Sequence, residues 1–430
     1  MRYDPLGSHR TPTFLRMFLS PRLTAGLALP TAILACTPPV PAASARETAG
    51  QVLPGIEVLL QDSLRLLRGK RVGLITNPSG RDRRGTSTID LLFHAPGVRL
   101  TALFGPEHGL RGAAKAGESV SSARDSATGL PIYSLYGEAR APTAEMLKDV
   151  DVLVYDIQDV GARVYTFEWT MALAAEVTGK LGKKFVVLDR PDPIRGDRVE
   201  GGVLDPGFRS FVGEYPIALR YGLTPGELLR YLVGTGEIQA DITVVPMRGW
   251  HRSMWFDETG IPWINPSPNL RTLDATALYP GTVFFEGTNV TEGRGTDAPF
   301  QLIGASWLHD AGAIAQEMNA LRLAGVRFDS TSRTIEPGYK FGGQTIPMIS
   351  ITVTDRDALQ PVDVAVRLLR AIYTRHTSEW QWRPGQIDRL AGTDSLRRAV
   401  EQGTVDALLA DWRDQSRRWA AQARRYWIYR

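Results

Sequence analysis

Five short apolar runs, each rich in β-branched residues and each closing on a polar turn, limit what this chain can fold into more than any other feature. They are Arg71–Thr76, Arg99–Phe104, Asp151–Tyr155, Lys184–Leu188 and Asp241–Val245. Apolar residues are continuous within them rather than alternating, as in strands covered on both faces, and helical stretches intervene. A parallel α/β sheet follows. Between the last two runs, Thr224-Pro225-Gly226-Glu227 predicts a helix start, with a threonine cap, a proline in the first turn and a glutamate three residues after the cap.

Ligands in open α/β sheets bind outside the carboxyl ends of the strands, so the residues after each run carry the functional information. The first run ends in Asn77-Pro78-Ser79-Gly80 and the second in Gly105-Pro106-Glu107-His108-Gly109. The third leads into Asp156, Gln158, Asp159, Arg163 and Tyr165, and the fourth into Asp189-Arg190-Pro191-Asp192. Parallel strands gather these turns at one edge of the sheet and predict a polar cleft there. The alternative is that each turn only solvates itself, with Asp and Asn closing it and Pro and Gly shaping it. Four successive turns carrying Glu, His, Asp and Arg favour the cleft.

A second region begins beyond about residue 275. Thr282–Phe285 predicts a strand, which runs into a glycine- and threonine-rich loop holding Glu286, Glu292, Arg294 and Asp297. Gly293, Gly295 and Ala298 match a dinucleotide fingerprint superficially, but Pro299 and the long gap after the run spoil it. Further on, a strand is expected over about Ile349–Val353 and a helix around Val364–Tyr373, with a closing helical stretch that ends at Arg424–Arg430.

Composition removes other classes. With 430 residues, 43% of them hydrophobic and 22% charged, the chain is globular and long enough for more than one domain. The net charge is +4, but residues 1–35 hold +3 of it, which leaves a nearly neutral body and no expectation of nucleic acid. Cys36 is the single cysteine, which excludes an internal disulfide or a multi-cysteine metal site. H-E-x-x-H, Walker, G-x-S-x-G and C-x-x-C motifs are absent, and neither a metal nor a cofactor is expected.

Arginines up to Arg22 precede the apolar run Leu23–Ala35, whose 13 residues suit an export signal better than a membrane span of roughly 20. Two cleavage readings stand side by side. Ile33-Leu34-Ala35-Cys36 resembles a lipobox, which would lipidate Cys36 and attach the protein to a membrane, whereas Ala43-Ser44-Ala45 suits ordinary signal cleavage. Residues 1–45 are therefore expected to be an export signal and tether, and the protein to be periplasmic or a membrane-anchored lipoprotein.

Four segments in order make the body recognisable: Phe104–Gly112 (FGPEHGLRG), Tyr155–Arg163 (YDIQDVGAR), Leu188–Pro193 (LDRPDP), and Glu286–Asn289 with Glu292–Thr296. From about Val52 to the C-terminus the chain resembles the exo-acting β-N-acetylmuramidases of peptidoglycan recycling, formerly a family of unknown function. The resemblance implies a Rossmann-like parallel-sheet domain over 52–275 and a smaller α+β domain over 276–430 that closes a cleft. It also implies a glycosidase that releases N-acetylmuramic acid from the non-reducing end of wall-derived saccharides.

Glycoside hydrolysis usually needs one protonated carboxyl and a second carboxylate as base or nucleophile. Glu107 is the expected acid and Glu292 its partner, with Asp156 or Asp189 as alternatives for the second role. His108, Asp156, Asp159, Arg163, Tyr165, Asp189, Arg190, Asp192, Asn289 and Arg294 are the expected substrate-binding set. Within it, Arg163, Arg190 and Arg294 are candidates to grip the lactyl carboxylate that distinguishes muramic acid from N-acetylglucosamine. Structural roles compete for several of these, with Asp189, Arg190 and Asp192 able to lock a turn and Asn289 to cap a loop. A non-catalytic lipoprotein that binds muropeptides in the same cleft is the rival reading.

Overall fold

A computed structural model of the chain describes residues 51–107, 109–110, 123–137 and 139–430. The expected leader with Cys36 and the expected contact His108 lie outside the described residues. In chain order the first elements are α1 (Gly55–Val58), β1 (Arg71–Thr76), α2 (Thr88–Phe93), β2 (Arg99–Gly105), β3 (Ala123–Arg124), β4 (Pro131–Ser134) and β5 (Val152–Asp156). They continue with α3 (Phe167–Lys180), β6 (Lys184–Leu188), β7 (Glu200–Val203), β8 (Ala218–Arg220), α4 (Pro225–Gly234) and β9 (Asp241–Val245). The remainder comprises α5 (Leu273–Thr282), β10 (Leu302–Gly304), α6 (Ala311–Ala320), β11 (Val326–Thr334), β12 (Thr345–Val353), α7 (Pro361–Arg375), α8 (Pro384–Ala391), α9 (Ser395–Gln402) and α10 (Val405–Ala423).

All five apolar runs are strands of one seven-stranded sheet, in the order β3-β4-β2-β1-β5-β6-β9. Every pairing in it is parallel except β3 with β4. The sheet is covered on both faces because successive strand residues point to opposite sides. Val72, Leu74, Val154 and Val186 pack with Ile56 and Leu92 on one side. Ile75, Tyr155, Phe185 and Val187 join a core on the other side that runs on through Leu278, Phe284, Leu368 and Trp412. That continuous core spans both halves of the sequence, and the described residues pack as one compact unit. The C-terminal half adds a three-stranded antiparallel sheet, β10-β12-β11, with helices against it.

Helix α4 starts where the sequence places it. Thr224 accepts from the Glu227 amide and the Glu227 side chain accepts from the Thr224 amide, so the capping box is complete. Thr282–Phe285 is a correction. These residues close α5 and continue into a short 3-10 turn over Val283–Gly287 instead of forming a strand. Their β-branched and aromatic side chains are buried by helix packing, which overrides local strand preference. Gly281 shows how closely the backbones approach, since a Cβ there would fall on the Pro361 carbonyl at the start of α7.

Candidate active site

Register brings the ends of neighbouring strands together. Thr76 pairs with Asp156 across β1 and β5, and Gly105 pairs with Ser134 across β2 and β4. The turn after β2 therefore sets Glu107 beside Tyr136, just beyond β4. Thr166 Oγ1 donates to Glu107 Oε2 at 2.7 Å. Thr166 stands at the N-cap of α3, yet its side chain makes no bond to the helix it precedes. Burial first, and the Glu107 charge next, push the Tyr136 phenol up to about 12.

Aromatic rings link this carboxylate to the C-terminal half. Tyr165 meets Tyr279 of α5 edge-on at 6.0 Å, Tyr279 meets Phe300 at 4.9 Å, and the Arg294 guanidinium lies 5.1 Å from the centre of the Phe300 ring. Burial raises the Tyr279 phenol well above its ordinary range; Glu286 adds to the rise, Arg294 opposes it, and Glu107 adds again. Tyr279 thus lies in the field of both acidic groups.

Beyond the rings, Arg294 reaches Glu286 at 2.8 Å and Glu292 at 3.0 Å. Lys340 reaches Glu292 at 3.4 Å while donating to the carbonyls of Thr288 and Val290. Burial alone would raise the Glu292 carboxyl, but Arg294 and Lys340 outweigh it and hold the group below the usual range. For Glu286 burial wins over Arg294 and the group is pushed up. Their exposures also differ, at 18% for the Glu286 side chain and 4% for Glu292. Asn289 ties two loops together, donating to the Glu379 carbonyl and accepting from the Gln381 amide.

The other expected residues come to the same sheet edge but lie inside the protein. Asp156 and Arg190 form a buried ion pair, with Nη2 to Oδ2 at 2.9 Å, and Thr88 donates to the same carboxylate. Asp189 accepts from Thr224 Oγ1, the Gly226 amide and Tyr429 Oη, so it anchors both the start of α4 and the C-terminal tail. Asp159 accepts from the Gly161 amide and Tyr221 Oη, and Asp192 from the Ile194 amide. Burial raises Asp159 to about 6, Asp189 to about 7 and Asp192 to about 8. Arg163 is wholly buried, and its guanidinium donates to the carbonyls of Gly202, Ile217 and Leu390.

The crevice between β1 and β5, where the strand order reverses, is the usual ligand position in such sheets. Here it is closed. A cavity of about 20 Å³ lined by Ser79, Gln158 and Arg190 remains over these strand ends, far below the roughly 300 Å³ of a small-ligand pocket. One strand across, Glu107 follows the end of β2 and is half-buried. Tyr136, Thr166, Tyr279, Glu286 and Lys340 surround Glu107 and Glu292 and are candidate site residues that the sequence did not single out. Glu286 had a signal, since it opens the Glu286–Asn289 segment, whereas the others are brought there by the fold alone.

Residues 72–274 match the family described as Exo-beta-N-acetylmuramidase NamZ, N-terminal, and residues 277–429 match its C-terminal counterpart. The chain belongs to the NamZ family. It is therefore a glycosidase, and in this chain Glu107 falls within the N-terminal match and the Glu286–Arg294–Glu292 group within the C-terminal match. Among characterised proteins it is 43% identical over 382 residues to the peptidoglycan beta-N-acetylmuramidase NamZ of Bacillus subtilis (strain 168), covering 88% of this chain and 92% of that one. Two crystal structures of DUF1343 family proteins from Bacteroides fragilis NCTC 9343 are similar to this NamZ-family fold. One has a TM-score of 0.82 at 36% identity and the other 0.69 at 29%, each covering 88% of this chain and 99% of its own.

Proposed function

We propose that this protein is an exo-acting β-N-acetylmuramidase that releases N-acetylmuramic acid from the non-reducing end of peptidoglycan fragments by a two-carboxylate mechanism. The observation that carries the reading is Glu107 at the end of β2, half-buried and fixed through one carboxylate oxygen by Thr166. A general acid must offer its proton along one direction. Thr166 and the neighbouring Tyr136 together hold the carboxyl in one orientation.

The second carboxylate comes from the Glu286–Arg294–Glu292 group. Glu292 keeps its charge because Arg294 and Lys340 flank it, and it fixes the arginine. Glu286, on the same arginine and more open, is the member that meets the sugar or its attacking water. The rings of Tyr165, Tyr279 and Phe300 between the two sites are buried, and the low-dielectric surround they give strengthens both electrostatic roles. Export, and attachment through Cys36, belong to the same reading, since intact wall polymer lies outside the cytoplasm.

Hydrolysis of a chromogenic β-glycoside of N-acetylmuramic acid tests the proposal. Glu107→Gln keeps the shape and the Thr166 contact while losing the proton, and turnover should fall about a thousandfold or more. Near-normal turnover by that variant would remove Glu107 from the mechanism. Binding of the glycoside without any hydrolysis by the unaltered protein would favour the muropeptide-binding alternative.

A further inference from the structure

N-Acetylmuramic acid differs from N-acetylglucosamine by a lactyl ether that ends in a carboxylate, and the three arginines expected to read it are engaged elsewhere. Arg163 is buried on three carbonyls, Arg190 is paired with Asp156, and Arg294 bridges two glutamates. Arg140 is different. It is exposed, its guanidinium stacks 4.7 Å from the centre of the Phe211 ring, and among the described residues no carboxylate pairs with it.

Arg140 also stands at the right place. Phe211 packs 6.2 Å from Tyr136, and Tyr136 adjoins Glu107. The positive charge of Arg140 and the negative charge of Glu107 act on that one phenol with opposite sign. We infer that Arg140 recognises the lactyl carboxylate of the substrate and is the residue that separates muramic acid from N-acetylglucosamine. The inference rests on the glycosidase reading above for the identity of the sugar.

The chemistry follows from the geometry. A guanidinium stacked on a ring leaves its N–H edge free, and stacking lowers the freedom lost when the edge pairs with a carboxylate. With Glu107 at the glycosidic oxygen on C1, the lactyl ether on C3, two ring carbons away, extends its carboxylate past Tyr136 to the arginine. A sugar lacking that group leaves the cation unpaired and gains nothing from it.

The test compares the unaltered protein with Arg140→Gln and Arg140→Lys. On the chromogenic muramic acid glycoside, Arg140→Gln should raise KM about tenfold or more and leave kcat within about twofold, with partial recovery in Arg140→Lys. On the same glycoside with its lactyl group converted to an amide, all three proteins should coincide. Calorimetric binding of free N-acetylmuramic acid should weaken in Arg140→Gln, while that of N-acetylglucosamine stays as it was. Equal KM and equal binding in the unaltered and Arg140→Gln proteins would overturn the inference. If the unaltered protein binds muramic acid through Arg140 but hydrolyses no glycoside, the catalytic reading fails and the assignment of Arg140 stands.

Discussion

A threonine at a helix N-cap ordinarily bonds to the helix, and Thr166 does not. Its hydroxyl holds Glu107 instead. Thr166→Val should therefore cost α3 little while releasing the carboxylate, so kcat should drop about 10- to 100-fold with KM and melting temperature nearly unchanged. Thr166→Ser should restore turnover. Steady-state kinetics beside thermal melting decide it, and a valine variant with full kcat would show that Glu107 needs no such support. The position of Glu107 beyond the end of a buried parallel strand was legible from the apolar run before it. Thr166, Tyr136 and Arg140 were not, since their proximity to Glu107 is created by pairing β2 with β4 and by the path of the loop after β5. The acidic residues at the other strand ends read equally well as contacts or as turn locks. Burial separates the two roles, and it is a property of the fold.

At the level of elements, strands were read well because continuous β-branched runs have few other uses in a parallel sheet. Short pieces were lost. β4 spans Pro131–Ser134, is half-buried throughout, and has too few apolar residues to stand out from a loop. Thr282–Phe285 failed in the opposite direction, since a run of strand-favouring residues also suits a helix end buried by its neighbours. Arg163 shows how elements distant in sequence are joined. It links the loop after β5 to β7, to Ile217 ahead of β8 and to the last turn of α8 through three carbonyls. Arg163→Met would take the guanidinium donors from the Gly202 and Leu390 carbonyls, while Ile217 keeps the Leu204 amide, and the protein should lose about 3 kcal/mol of stability. Chemical denaturation measures it, and an unchanged midpoint would mean that the carbonyls find other partners.

Across the whole molecule, the buried acids make stability depend on pH in an unusual sense. Asp159, Asp189 and Asp192 are raised to about 6, 7 and 8 by burial, above the usual value near 4. A carboxyl raised in this way binds its proton more tightly when folded. Its contribution is complete below about pH 4 and is lost as pH climbs through the folded value. Melting temperature should fall between about pH 5 and 8, and Asp192→Asn should flatten the decline by up to one proton, roughly 1.4 kcal/mol per pH unit. Parallel melting curves for the two proteins across that range would contradict it. Residues near the end of the chain complete this interior: Tyr429 Oη bonds to Asp189, and the amides of Ile428 and Tyr429 bond to Glu227. Until those residues are made, Asp189 and Glu227, made earlier, hold only part of their donor set. The last hydrogen bonds of this interior therefore close only when the segment around Tyr429 docks.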